Sequence, residues 1–120
     1  MAVNGENRRL GFWGESRACG YLKRQGYKIL KRNYKCPFCE VDIVAERGEV
    51  TAFIEVKTRT TDLFGAPNEA VDYRRKERYR NAARYYFAHR QMDCTVRFDV
   101  IEVVKEGGKV TVNHIENAFY

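Results

Sequence analysis

A chain of 120 residues, 44% hydrophobic and 13% aromatic, has apolar material for one compact domain and little more, so a single domain over residues 1–120 is expected. The net charge of +6 is concentrated in "LKRQGYKILKRNYK" and "DYRRKERYRNAARYYFAHR", which favours a polyanion such as nucleic acid. A membrane surface is disfavoured, because the second stretch is rich in tyrosine and has no strongly apolar outer face. No run nears the roughly 18 apolar residues of a membrane span, and "MAVNGENRRLG" lacks the apolar centre of a secretory signal; a cytoplasmic location with Cys19, Cys36, Cys39 and Cys94 reduced is therefore expected.

In chain order, Leu10, Gly14, Ala18, Tyr21 and Leu22 recur at helical spacing up to Gln25, and Gly26 supplies a stop, so a first helix is predicted there with Glu15 at the margin of its apolar stripe. "GYKILKRNY" reads as a strand in which Tyr27 and Ile29 alternate with Lys28. Two further strands follow in "CEVDIVAERGEVTAFIEVKTR", turning near "ERGE". "TRTTDLFGAP", with Gly65 and Pro67, has no period and reads as a loop in which Phe64 is either a wedge or a staple. Asn68 is a candidate cap for a second helix that reaches about His89, with Val71, Tyr79, Ala82, Ala83 and Tyr86 as its apolar stripe. "CTVRFDVIEVV" and "KVTVNHIENAF", joined by "KEGG", predict a closing hairpin. The order is helix, three strands, helix, two strands: an α/β domain with a mixed sheet flanked by two helices.

The central hairpin carries charge where a small domain would place apolar residues. Alternation puts Val41, Ile43 and Ala45 on one face of the first strand and Glu40, Asp42 and Val44 on the other. In the second strand Ala52, Ile54 and Val56 oppose Phe53, Glu55 and Lys57. With a turn of even length, either Arg47 and Gly48 or residues 46–49, Asp42 faces Phe53, Glu40 faces Glu55, and the charged rows share a face. Asp42 and Glu55 are then diagonal neighbours roughly 7 to 8 Å apart, within reach of one ion. Two carboxylates and an ammonium together are costly to desolvate unless something binds them. Mg²⁺ suits the pair, since it accepts one or two carboxylates and completes its shell with water and phosphate oxygens. The competing reading is an exposed face with a Glu55–Lys57 ion pair worth at most about 1 kcal/mol.

"CPFC" has metal-ligand spacing, and His89 and Cys94 are conceivable completing ligands for zinc, but one CxxC alone favours ordinary reduced cysteines. His114 on a terminal strand is more often a packing residue than a base. In the second helix Arg74, Arg75, Arg78, Arg80 and Arg84 interleave with Tyr73, Tyr79, Tyr85 and Tyr86. Arginines there, together with Arg59 at the end of "FIEVKTR", would hold phosphates, and an exposed tyrosine could stack on an unpaired base.

The arrangement Asp42 … Glu55-Val56-Lys57 resembles the active site of the restriction-endonuclease-like, PD-(D/E)xK, superfamily. Across "GFWGESRACGYL", "EVDIVA", "FIEVKTR", "FGAPNEAVD", "RFDVIEV" and "HIENAF" the chain resembles the bacterial YraN-like proteins, related to archaeal Holliday-junction resolvases. The resemblance implies a metal-dependent nuclease acting on branched or structured DNA, or a binding module on the same fold. It further implies Mg²⁺ or Mn²⁺ held by Asp42 and Glu55, Lys57 assisting the attacking water, and Glu15 as an accessory acid. It leaves open whether Glu40 faces metal or solvent. A resolvase needs two active sites, which a homodimer would supply. Two positions depart from the family pattern: Cys39 stands where it has Gly, with strain expected there, and Arg75 where it has Lys.

Overall fold

The computed structural model describes residues 4–60, 73–90 and 93–118. Helix α1 (Asn4–Arg24) is followed by strands β1 (Lys28–Lys35), β2 (Glu40–Arg47) and β3 (Val50–Thr60), helix α2 (Tyr73–Phe87), and strands β4 (Thr95–Glu106) and β5 (Lys109–Ile115). The strands form one sheet in the order β1-β2-β3-β4-β5. Only the β3–β4 pair is parallel, because α2 lies in the crossover between them and returns the chain to the same end. The domain is therefore mixed α/β, with a five-stranded sheet flanked by two helices. Among the described residues no helix is long and apolar enough to cross a membrane.

Helix α1 begins earlier than its apolar period, since residues 4–9 offer no apolar residue to register. It ends as the sequence predicts. Gly26 sits at φ +90°, the Gly26 N–H donates to the Lys23 carbonyl and the Tyr27 N–H to the Leu22 carbonyl, a Schellman closure that a side chain at Gly26 would strain. Helix α2 ends at Phe87, two residues short of His89; the Asn68 cap, Val71 and the "TDLFGAP" loop with Phe64 lie outside the described residues.

Each helix owns one face. Ala18, Cys19 and Leu22 of α1 pack with Ile43, Ala45, Ala52, Ile54, Ile101 and Val103. On the other face Tyr79, Ala82, Ala83 and Tyr86 of α2 cover Val44, Phe53 and Val100. Gly14 marks the closest approach of α1 to the sheet: a Cβ there would stand 1.9 Å from Thr58 Oγ1. The helical stripe thus includes a glycine because β3 leaves no room for more.

Two local departures shape the hairpin. The turn falls one residue later than expected, at Gly48 and Glu49, with Gly48 at φ +61° as the first residue of a II′-type turn. Phe53 accordingly pairs with Val44 rather than Asp42, and Asp42, one rung beyond Ile43↔Ile54, comes opposite Glu55 instead of diagonal to it. The even parity survives, so both remain on the α2 face. The second departure is a break in alternation. Arg32 pairs with Ile43 and Tyr34 with Val41, so Asn33 lies across from Asp42. Asn33 adopts φ 51°, and beyond this rung Tyr34 and Val41 both join the α2-side cluster, although alternation assigns Val41 to the α1 face. Cys39 has no left-handed backbone, so the strain expected from Cys in place of Gly does not arise.

Candidate active site

The hairpin brings Asp42 and Glu55 into one pocket of about 200 Å³, whose remaining lining is Cys39, Glu40, Arg75, Arg78 and Tyr79. Asp42 does more than face it. Its Oδ2 accepts the Val56 backbone N–H at 2.8 Å, and the side chain thereby ties β2 to β3 where the regular ladder stops. Burial pushes the Asp42 carboxyl up to about 7 against the pull of that hydrogen bond, and the charges of Glu15, Glu55 and Glu40 push in the same direction. Tyr79, buried at the pocket floor, is likewise held well above the usual phenol range, first by burial and then by the charges of Asp42 and Glu55.

Glu55 is 15% exposed, and its two oxygens differ. Oε2 accepts from Arg75 Nη1 at 2.5 Å, whereas Oε1 is buried and takes no hydrogen bond from any described residue. A buried carboxylate oxygen without a donor is costly, and a hard cation or ordered water is what such an atom accommodates. Among the described residues no three His, Cys, Asp or Glu side chains group closely enough to enclose a metal ion. A cation in this pocket would rest on Asp42 and Glu55 and draw its other oxygens from water and a substrate, the pattern Mg²⁺ tolerates.

The other residues singled out from the sequence divide. Glu15 lies on α1, beyond the opposite face, and reaches the site by way of the Asn33–Asp42 rung: its carboxylate is hydrogen-bonded to Asn33 and lies within electrostatic reach of Arg32, Glu40 and Asp42. Burial raises its carboxyl above the usual range. It is a neighbour of the pocket rather than part of its lining. Lys57 and Arg59 continue the row of Phe53 and Glu55 along β3, half-buried and outside the pocket lining. Glu40 is exposed at the mouth. On α2, Arg74, Arg78 and Arg84 are exposed as a phosphate-binding role requires, with Arg84 donating to Asn81. Arg75, grouped with them in the sequence, is committed inward to Glu55. That pairing was invisible because it depends on how α2 is rotated over the sheet.

The cysteines at 36 and 39 do not face His89 and Cys94 as a zinc tetrahedron would need: the Cys36 thiol donates to the Cys39 carbonyl and the Cys39 thiol to the Arg78 carbonyl. Sequence reasoning also missed a buried network. Asp99, fully buried, accepts from Arg97 and from the Asn117 N–H and bonds His114 Nε2 at 2.8 Å, while His114 Nδ1 meets Tyr21 and Arg97 Nη2 meets the Tyr27 hydroxyl. The signal was present, since Arg97 and Asp99 stand in the same alternating row as Ile101 and Val103. His114 is thus an interior polar residue joining β5 to β4 and α1.

Fold and pocket together define a small α/β domain in which paired carboxylates lie beneath a basic helix. Residues 14–103, from Gly14 through most of β4, match the Uncharacterised protein family UPF0102. The chain is 43% identical over 114 residues to the UPF0102 protein of Syntrophomonas wolfei, covering 94% of this chain and 99% of that one. It is 46% identical over 111 residues to that of Syntrophotalea carbinolica, with 92% and 90% covered, and 42% identical over 119 residues to that of Myxococcus xanthus, with 98% and 94% covered. The chain belongs to the UPF0102 family.

Proposed function

We propose that this protein is a metal-dependent nuclease of the restriction-endonuclease-like kind, hydrolysing phosphodiester bonds in DNA of branched or otherwise structured form. The observation that carries the reading is the Asp42–Glu55 pocket with a buried Glu55 Oε1 that accepts no hydrogen bond from any described residue. Asp42 and Glu55 would hold Mg²⁺ or Mn²⁺, and a cation there supplies Lewis acidity toward a phosphoryl oxygen and makes water more acidic. Lys57 orients the attacking water and offsets charge building on phosphorus. Glu15 tunes Asp42 from the far side of its rung as an accessory acid. Arg59, Arg74, Arg78 and Arg84 hold backbone phosphates, and Arg75 joins them once it leaves Glu55. A homodimer would present two such sites to the two strands of a junction, and a cytoplasmic location would give it access to DNA.

One observation favours the alternative, a non-catalytic nucleic-acid-binding module: the Arg75 guanidinium already satisfies Glu55 Oε2. A screen of purified protein against linear, flapped, four-way and RNA substrates with Mg²⁺ or Mn²⁺ separates the two. The nuclease reading expects metal-dependent cleavage of at least one substrate; salt-sensitive binding to these substrates without any cleavage leaves the binding module.

A further inference from the structure

The "CPFC" segment is a tight connection between β1 and β2. Its Cys36 N–H and Cys36 thiol both donate to the Cys39 carbonyl, at 3.1 Å each, leaving Pro37 and Phe38 as the two residues of the turn. The Cys39 thiol then pins the turn to α2 by donating to the Arg78 carbonyl. What the clamp presents is Phe38. Its ring, 44% exposed, packs edge-on against Tyr85 of α2, 48% exposed, with centroids 6.1 Å apart. The large hydrophobic side chains that remain exposed among the described residues are Phe12, Phe38, Tyr85 and Ile115, so two of the four touch each other. They do so at the rim of the carboxylate pocket, because Cys39, which follows Phe38, and Arg78, two turns before Tyr85, both line it.

We infer that Phe38 and Tyr85 form a stacking platform for an unpaired nucleobase of the nucleic-acid strand whose backbone runs along α2. Charge selects the occupant. Helix α2 carries six basic residues against one acidic, and Arg78, two turns before Tyr85, and Arg84, beside it in the chain, are exposed and offer cations to the flanking phosphates. An apolar peptide would leave those guanidiniums unused, and a second copy of the chain would bring like charge against them. Aromatic faces stack on any base, so the platform selects unpaired over paired nucleotides and not one base over another. It deepens the nucleic-acid reading above and depends on binding alone, not on cleavage.

The test is binding in chelator of a fluorescein-labelled single-stranded oligonucleotide and of the blunt duplex of the same sequence. Wild type should prefer the single strand. The double variant Phe38→Ala/Tyr85→Ala should bind it about 5- to 100-fold more weakly while holding duplex within about twofold, since the phosphate contacts remain. Tyr85→Phe, which keeps the ring, should bind as wild type does. A 2-aminopurine at an unpaired position should lose fluorescence on wild-type binding and keep it with the double variant. Each ring is about half exposed, so the double variant should lose only the edge-on contact and stay folded at the temperature of the binding assay. Equal losses on both substrates, no loss on either, or a wild-type dimer that the double variant dissociates would overturn the platform, the last by making the patch a self-interface. Cleavage with no preference for unpaired strands would overturn the platform while sparing the nuclease reading; an intact platform without cleavage would do the reverse.

Discussion

Asp42 is a buried carboxylate whose charge works against stability. Its carboxyl is raised to about 7 in the folded protein by burial and by neighbouring carboxylates. Below about pH 4 it is protonated in folded and unfolded chains alike, so its contribution is fully present there. That contribution is lost as pH rises towards and through 7, where the unfolded chain has released a proton that the folded chain retains. Asp42→Asn keeps an acceptor for the Val56 N–H and removes the charge. It should therefore raise Tm at pH 8, with a gain that shrinks to nothing near pH 4, each pH unit of displacement being worth about 1.4 kcal/mol. A gain independent of pH would mean that charge burial is not its source. Arg75 carries a complementary expectation. It competes with any cation for Glu55, so Arg75→Ala should tighten Mn²⁺ binding, by roughly two- to tenfold in calorimetry, and lower Tm in chelator by leaving Glu55 unpaired. Weaker Mn²⁺ binding by this variant would show that Arg75 supports the site rather than shielding it.

At the scale of elements, Gly14 fixes how closely α1 lies on β3. Gly14→Ala places a methyl against Thr58 and should cost about 1 to 3 kcal/mol despite the better helix propensity of alanine. Combining it with Thr58→Ala should recover part of the loss, a coupling that a double-mutant cycle in urea measures. The elements themselves were legible because each buries one face: period 3.6 marked Ala18 and Leu22, period 2 marked Ala52, Ile54 and Val56, and Gly26 marked the stop. The shared face of Asp42 and Glu55 was legible too, since parity needs only an even turn. The register was not, because Gly48, with φ > 0 available to it, drew the turn one residue onward. Nor was the crossing of Val41 to the α2 face, which accompanies the left-handed Asn33 and a side-chain bond at Asp42, neither of which leaves a periodic trace.

Across the whole molecule, each face of the sheet carries an apolar core; the Asp42–Glu55 pocket and the basic helix α2 lie on one side, and α1 with Glu15 and the Asp99–His114 network on the other. Nucleic acid laid along α2 would neutralise several phosphates and release their counterions. For about five duplex phosphates, log K should fall with log salt at a slope near −4 to −5, and neutralising Arg74, Arg78 and Arg84 together should flatten it. An affinity indifferent to salt would point to another kind of partner. The most direct test of the account is Mn²⁺-dependent cleavage measured at saturating substrate for wild type beside Asp42→Asn, Glu55→Gln and Lys57→Ala. Removing either carboxylate takes away a group that repels phosphate when metal is absent, so binding in chelator should hold or tighten; cleavage should disappear, because the loss falls on the transition state. Lys57→Ala should cripple turnover and weaken binding only modestly. Wild type cutting while all three variants fail at matched saturation is the result predicted; variants that cut as fast as wild type, or a wild type that cuts nothing, would contradict it.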